Sequence, residues 1–365
     1  MYCYMLVAMA HGEFDLIVVG AGIVGLSTAV AASNQGMKRV LCVDRHGPAN
    51  SFGASGDGLR LFRLSYFEHS AYVPLLREAI EGWRALEGGL YVSAGGFYAG
   101  PATSELVTGS IESAIEHDID HRVLSAAEAN AQFPRFRLPD DYVGFYESEG
   151  GYVRSADATK AMEQKAVDGG VSFAIDAALS LTPVGNQWLV QCENGGYIAD
   201  RVVVAAGNAT GELVPAVAPF LSRETHLLVW HDSQDWTDLP GFGIMNETGE
   251  MLYGFPSIDQ VPGVKVGGHH RFSSGGIAEQ EQGLAALTAQ FLPGLSPNIL
   301  SRKTCDYDVS PDGHFMIGEI EPGLVVACGF SGHGYKFGSI IGDVVWEAVF
   351  DLPPELSFLD INRLL

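Results

Sequence analysis

The segment Gly20-Ala21-Gly22-Ile23-Val24-Gly25 constrains this chain more than any other. It follows the apolar run Phe14 to Val19 and opens a helical stretch that ends near Gln35. A second apolar run, Val40 to Val43, then ends on Asp44, nineteen residues after Gly25. Strand, glycine turn, helix, strand and acid in that order make the βαβ unit that grips a dinucleotide. A pyrophosphate needs bare backbone amides at a helix N-terminus, and side chains at Gly20 or Gly22 would hold it away. Gly25 lets the helix close on the strand, and Asp44 stands where a carboxylate meets a ribose hydroxyl. The unit alone does not distinguish FAD from NAD.

At 365 residues the chain suits two interlocked domains better than one simple core. Its 44 acidic and 21 basic residues leave a net charge of -23, with no Lys/Arg cluster able to track a phosphate backbone. Nucleic acid is therefore not an expected partner. Five scattered cysteines, Cys3, Cys42, Cys192, Cys305 and Cys328, contain no Cys-x-x-Cys pair, which argues against a disulfide framework or a zinc site and for a reducing compartment. No run approaches the roughly 18 apolar residues of a membrane span, and Met1 to Ala10 lacks the basic start of a signal peptide. The expectation is a soluble cytoplasmic protein, monomeric or a small homo-oligomer. Met1 to Met5 reads as a disordered extension or an artefact of the assigned translation start.

Helical spacing of apolar residues predicts helices over Tyr72 to Leu86, Ala156 to Ala166 and Ile277 to Phe291, with the stretch between the first two broken by Gly and Pro. Short alternating strands follow Val171, with Gly195-Gly196 as a hairpin turn, and end in the buried strand Arg201 to Gly207. Thr225 to His270 is strand-like, with turns at Glu247 to Glu250 and at Pro262-Gly263. The expected fold class is α/β with an α+β second domain. A discontinuous Rossmann-like nucleotide domain (11–85, 146–215 and 305–365) interleaves with a substrate domain (86–145 and 216–304) built on a mostly antiparallel sheet. The two should share a cleft.

The last third narrows the ligand. The loop Gly329-Phe330-Ser331-Gly332-His333-Gly334-Tyr335-Lys336-Phe337-Gly338 follows the strand Leu324 to Cys328 and precedes a helix through Ile340 to Phe350. Its free amides and the positive end of the helix dipole suit an anionic reduced isoalloxazine, whereas a nicotinamide ring has no comparable need. With Arg60-Leu61-Phe62-Arg63, Tyr72-Val73-Pro74-Leu75, Gly144-Phe145-Tyr146-Glu147, Tyr253-Gly254-Phe255-Pro256, Val264 to His269 and the segment around Cys305, nearly the whole chain resembles the amine-oxidising, sarcosine oxidase-like branch of the D-amino acid oxidase superfamily.

That resemblance implies FAD as cofactor, with Cys305 aligned to the cysteine that forms a thioether to the flavin 8α-methyl carbon. Cys42, Cys192 and Cys328 read as small buried hydrophobes. Gly20, Gly22, Gly25 and Asp44 bind the nucleotide half, and Gly332, His333, Gly334 and Lys336 line the flavin side. The resemblance puts Arg63 and Lys336 at the substrate carboxylate, where a guanidinium fork and an ammonium would aim the N–C bond at the flavin. Arg60 sits nearer to the cofactor. Lys265, set by strand alternation opposite Val264 and Val266, implies an inward cation that activates oxygen. His269 and Tyr253 match residues that position the amine; His270 points to the other face, and without a suitably spaced carboxylate the pair makes a poor metal site.

This chain also departs from the family. Gly56 and Leu59 stand where a histidine and a threonine are common, and Gly268 replaces a tyrosine or lysine, so a roomier pocket is expected. The implied reaction is oxidation of a secondary or cyclic amino acid of the N-methyl type, with a hydride passing to FAD, an imine as product and O2 giving hydrogen peroxide. A same-fold dehydrogenase feeding a carrier and a non-catalytic FAD-binding subunit are the rivals. Sarcosine, N-methyl aromatic amino acids, cyclic acids and glycated amino acids all suit such a scaffold.

Overall fold

The computed structural model describes residues 10–56, 58–270, 275–349 and 352–365. The expected N-terminal extension, Cys3, Phe350 and the His270 side chain lie outside them. Strand β1 (Ala10–Val19), helix α1 (Ile23–Asn34) and strand β2 (Val40–Asp44) form the predicted unit. β1 pairs in parallel with β2 on one side and with Gly195–Val204 on the other; β2 continues to Ser172–Ile175, and Gly195–Val204 to Leu324–Cys328, again in parallel. Leu16 and Val18 pack into a core with Leu26 and Ala29 of α1, while Ile17 and Val19 pack with Val202 and Val204 on the opposite face. A strand buried on both faces must be apolar throughout, which is why these runs do not alternate.

The second eight-stranded sheet runs in the order Ile299–Val309, Ser222–His231, Val264–His270, Glu250–Phe255, Gly241–Met245, Gly96–Pro101, Tyr142–Glu147, His121–Ser125. Every pairing in it is antiparallel except that of Gly241–Met245 with Gly96–Pro101. Leu59–Phe62, Gly151–Arg154 and Tyr91–Val92 form a small third sheet that packs against Gly241–Met245 of the second. No helix of the described residues is long and apolar enough to cross a membrane.

The helix Tyr72–Ala85 buries Tyr72, Val73, Leu76, Ala79, Ile80 and Trp83, the three-and-four spacing of one face. Helices Ser155–Asp168 and Ile277–Phe291 lie where the spacing predicts. Two differences have local causes. The hairpin turn sits at Glu193-Asn194, where the Asp176 carboxylate accepts from the Asn194 amide at 3.2 Å, so Gly195 and Gly196 already belong to the next strand. The Gly- and Pro-broken stretch also holds helices at Glu105–Glu116 and Ala126–Gln132; the second is opened by a capping box in which Ser125 and Glu128 serve each other's backbone amides, a pattern visible in the sequence.

Candidate active site

The glycine turn is shaped by its neighbours in the chain as much as by any ligand. Gly20 has φ +103°, and a Cβ there would meet the Ala205 carbonyl oxygen at 2.4 Å; at Gly25 it would meet the Gly20 oxygen at 1.8 Å. Gly25 therefore works inside the fold, closing α1 onto β1, while Gly20 and Gly22 form the rim of a cleft of about 470 Å³. Asp44, Arg60, Cys305, Gly332 and Gly334 also line this cleft. The Asp44 carboxylate accepts from the Ala21 amide at 2.9 Å and the His46 amide at 2.8 Å, which aims it across the turn. Ser55, missed by sequence reasoning, accepts from the Ile23 amide at 2.9 Å and so caps the first turn of α1.

The opposite wall is the strand Ile299–Val309, on which Cys305 is half-buried. The other described cysteines are buried, and burial pushes their thiols up, that of Cys192 to about 12. Only Cys305 among them lines the cleft. Asp308, raised to about 6 by burial, accepts from the Gly329 amide at 2.8 Å and anchors the glycine loop. The expected helix end is placed differently: helix Ile341–Ala348 packs on α1, with the Gly342 amide donating to Ser27 at 2.9 Å. Gly332, Gly334 and the one-turn helix at Tyr335–Phe337 meet the cleft instead.

Arg60 donates to the carbonyls of Ala54, Gly56 and Leu59 and lies 5.6 Å from the Tyr335 ring centre. The Leu59 carbonyl also accepts from Lys265 Nζ at 2.9 Å, so one carbonyl holds both cations. Val264 and Val266 are fully buried in the second sheet's apolar core, and Lys265, 1% exposed, takes the other face, 5.1 Å from the Phe255 ring centre and 5.4 Å from that of Trp230. Gly56 leaves no extra room, because a Cβ there would stand 2.7 Å from Ser51 Cα. This corrects the expectation of a roomier shell at that point.

Tyr253 and His269 face each other with ring centres 6.4 Å apart, and Tyr307 stands 6.0 Å from His269. Burial raises the Tyr253 phenol to about 12. His226, another residue missed, is 1% exposed, stacks on Tyr307 at 4.2 Å and pairs across the strands with Cys305. Its Nδ1 lies 3.2 Å from the Gly268 carbonyl oxygen.

Arg63, Lys336 and His333 do not line the cleft; they meet in an aromatic box beside it. Arg63 is 3% exposed, lies 4.4 Å from the Phe67 ring centre and 5.0 Å from that of Tyr66, and is paired with Glu68. Its Nη1 and the Tyr98 hydroxyl are buried without a hydrogen-bond partner among the described residues. Lys336 Nζ donates to Tyr66 Oη at 3.3 Å and to the His333 carbonyl at 2.8 Å. His333 Nε2 lies 2.8 Å from the Gly313 carbonyl and must carry the proton there, so Nδ1 accepts from Tyr66 at 2.5 Å. Burial lowers His333 to about 3, which keeps its ring neutral. Below the box, the fully buried Glu147 accepts from the Leu64 amide (2.9 Å), the Ser65 amide (2.8 Å) and the Ser65 hydroxyl (2.6 Å), setting the bend that turns Arg63 inward.

A cleft rimmed by side-chain-free glycines, crossed by an oriented carboxylate at one wall and ended by an arginine and a glycine loop at the other, has the build of a dinucleotide cradle, and these residues fit FAD. The sequence profile of the FAD dependent oxidoreductase family matches residues 15–348, and the chain belongs to that family. Among its relatives, the N-methyl-L-tryptophan oxidase of Citrobacter koseri is 29% identical over 94% of this chain and 98% of its own. The monomeric sarcosine oxidase of Streptomyces avermitilis is 30% identical over 91% and 92%. Of solved structures, NikD, an amino acid oxidase of nikkomycin biosynthesis, superposes with a TM-score of 0.80 at 24% identity, over 96% of this chain and 97% of that one. The L-proline dehydrogenase from P. horikoshii gives 0.80 at 17% identity, over 97% and 98%. At those identities the solved structures share the fold.

Proposed function

We propose that this chain oxidises a secondary or cyclic amino acid, of the N-methyl amino acid type, at the carbon next to nitrogen. FAD, when bound, would supply a two-electron acceptor able to take a hydride from that carbon and hand the electrons to O2, which would leave an imine and hydrogen peroxide. In this reading residues 11–85, 146–215 and 305–365 hold the cofactor, and 86–145 with 216–304 wall the substrate. The names of the curated relatives support the substrate class. The observation that carries it is the buried box: Arg63 and the Lys336 amine stand among aromatic rings with a single carboxylate, Glu68, which pairs with Arg63. Such a box has hydrogen-bond donors to spare for the acid end of an amino acid.

Arg63 and Lys336 fix the carboxylate, Tyr253 and His269 orient the amine, and Lys265 puts positive charge where oxygen takes up its first electron. Cys305 tethers the cofactor as a thioether. A peroxide assay in air across sarcosine, N-methyl aromatic amino acids, cyclic acids and glycated amino acids tests the reaction: peroxide from one class is expected, while turnover only with an artificial electron acceptor would favour the dehydrogenase. Acid-precipitated protein should stay yellow, and a colourless pellet under a yellow supernatant would remove the tether.

A further inference from the structure

Lys336 is a buried amine that forms no ion pair of its own among the described residues. Its two acceptors, Tyr66 Oη and the His333 carbonyl, are neutral. The nearby carboxylate, Glu68, is paired with Arg63, which is itself a second positive charge on the same box. Around it, the loop after Leu59–Phe62 contributes Arg63, Tyr66 and Glu68, the strand Gly96–Pro101 contributes Tyr98, and its own loop the neutral His333. Helix Tyr72–Ala85 contributes Tyr72 to the box, and Trp83, which donates to the Lys336 carbonyl at 2.8 Å. Burial pushes all three tyrosines up, so they keep their protons. Burial first, and Arg63 second, lower Lys336 to about 7. Among the described residues Arg63 Nη1 is buried without a hydrogen-bond partner, a donor that an anion in the box could use.

An amino acid arrives as a zwitterion, yet only its neutral amine has the electron pair needed for oxidation. We propose that Lys336 is the acceptor of the substrate's ammonium proton. An N–H bond of the substrate breaks, the nitrogen keeps the electron pair, and a new N–H bond forms on Lys336. The resulting lysine ammonium pairs with the substrate carboxylate beside Arg63, and that pairing is what raises the lysine's basicity enough to hold the proton. Net charge is unchanged, so the dry box binds the zwitterion without taking in a water-borne ion. The inference rests on the proposed amino acid oxidation and adds the origin of the reactive amine.

Butanoate, the carbon analogue of N-methylglycine, carries the acid but has no proton to give. Its binding to the holoenzyme, measured by calorimetry in two buffers of different ionisation heat, should draw about one proton per site from solvent at pH 8.5 and almost none at pH 6, where the lysine is already charged. Lys336→Arg keeps a cation that cannot lose its proton, so it should bind butanoate with no uptake at either pH. In anaerobic stopped-flow reduction, its apparent affinity for an N-methyl amino acid should rise about tenfold per pH unit from 7 to 9, following the free amine, while the wild type stays much flatter. Butanoate binding without proton uptake in the wild type, or parallel pH profiles, overturns the proposal and leaves the oxidase reading intact. Failure of every carboxylate to bind, with no peroxide from any amine, overturns both.

Discussion

The cofactor cleft and the aromatic box lie side by side and are built on opposite principles. The cleft is made of backbone: Gly20, Gly22 and Gly332 at its rim and a turn whose amides Asp44 and Ser55 hold in place. The box is made of buried side chains, with Arg63 paired to Glu68 and Tyr66 bonded to both His333 and Lys336. A backbone site tolerates no added atom, whereas a side-chain site tolerates change in shape but not in charge. The two should therefore fail differently.

The sharpest test of the first half is Gly25→Ala. Its Cβ would stand 1.8 Å from the Gly20 carbonyl oxygen, so either α1 lifts from β1 or the turn opens. A loss of more than about 4 kcal/mol, in the range reserved for a disrupted core, is expected together with a fall in bound FAD, both read from denaturant unfolding and flavin absorbance. Normal stability with full flavin would break the contrast at its root. Next comes Glu147→Ala, which leaves two backbone amides and a hydroxyl buried without an acceptor and should cost about 3 kcal/mol. If the loss is near zero, the bend that aims Arg63 has another support.

Lys265→Met keeps the shape of the side chain and removes its charge. Reoxidation of the reduced enzyme by O2 should slow by about a hundredfold, with reduction by substrate changed far less; equal slowing of the two half-reactions would take Lys265 out of oxygen chemistry. The smallest effect is a pH dependence. His333 has its pKa lowered to about 3 in the folded chain from an ordinary 6.5, so below pH 6.5 the unfolded chain binds a proton that the folded one refuses. Stability is complete above that pH and is lost as pH falls, by about 2 kcal/mol between pH 6.5 and 5. His333→Asn should flatten this slope, and an unchanged slope would place the acid sensitivity elsewhere.

Much of the cleft was legible in the order of residues. The turn, Gly25, Asp44 and the strand Leu324–Cys328 depend on spacing within short stretches, and Lys265 followed from alternation along one strand. The box was not. The Arg63–Glu68 pair gives no local signal of being buried, since its members stand five positions apart in a loop and only the fold removes them from water. Nor does anything near His226 announce that it will stand across from Cys305 and stack on Tyr307. Gly56 shows the same limit from the other side, because a small residue suggested room where the Ser51 backbone leaves none.

The sequence by itself determined that this chain would hold a dinucleotide, because that task is done by glycines and an acid at fixed separations along one βαβ unit. Tertiary structure decided the charge state of the neighbouring box. Lys336 and Tyr66, 270 residues apart, meet only when the glycine loop packs against the segment after Leu59–Phe62. An amine's basicity depends on what surrounds it in space, on lost water and on the Arg63 charge, and neither is written in the residues beside it.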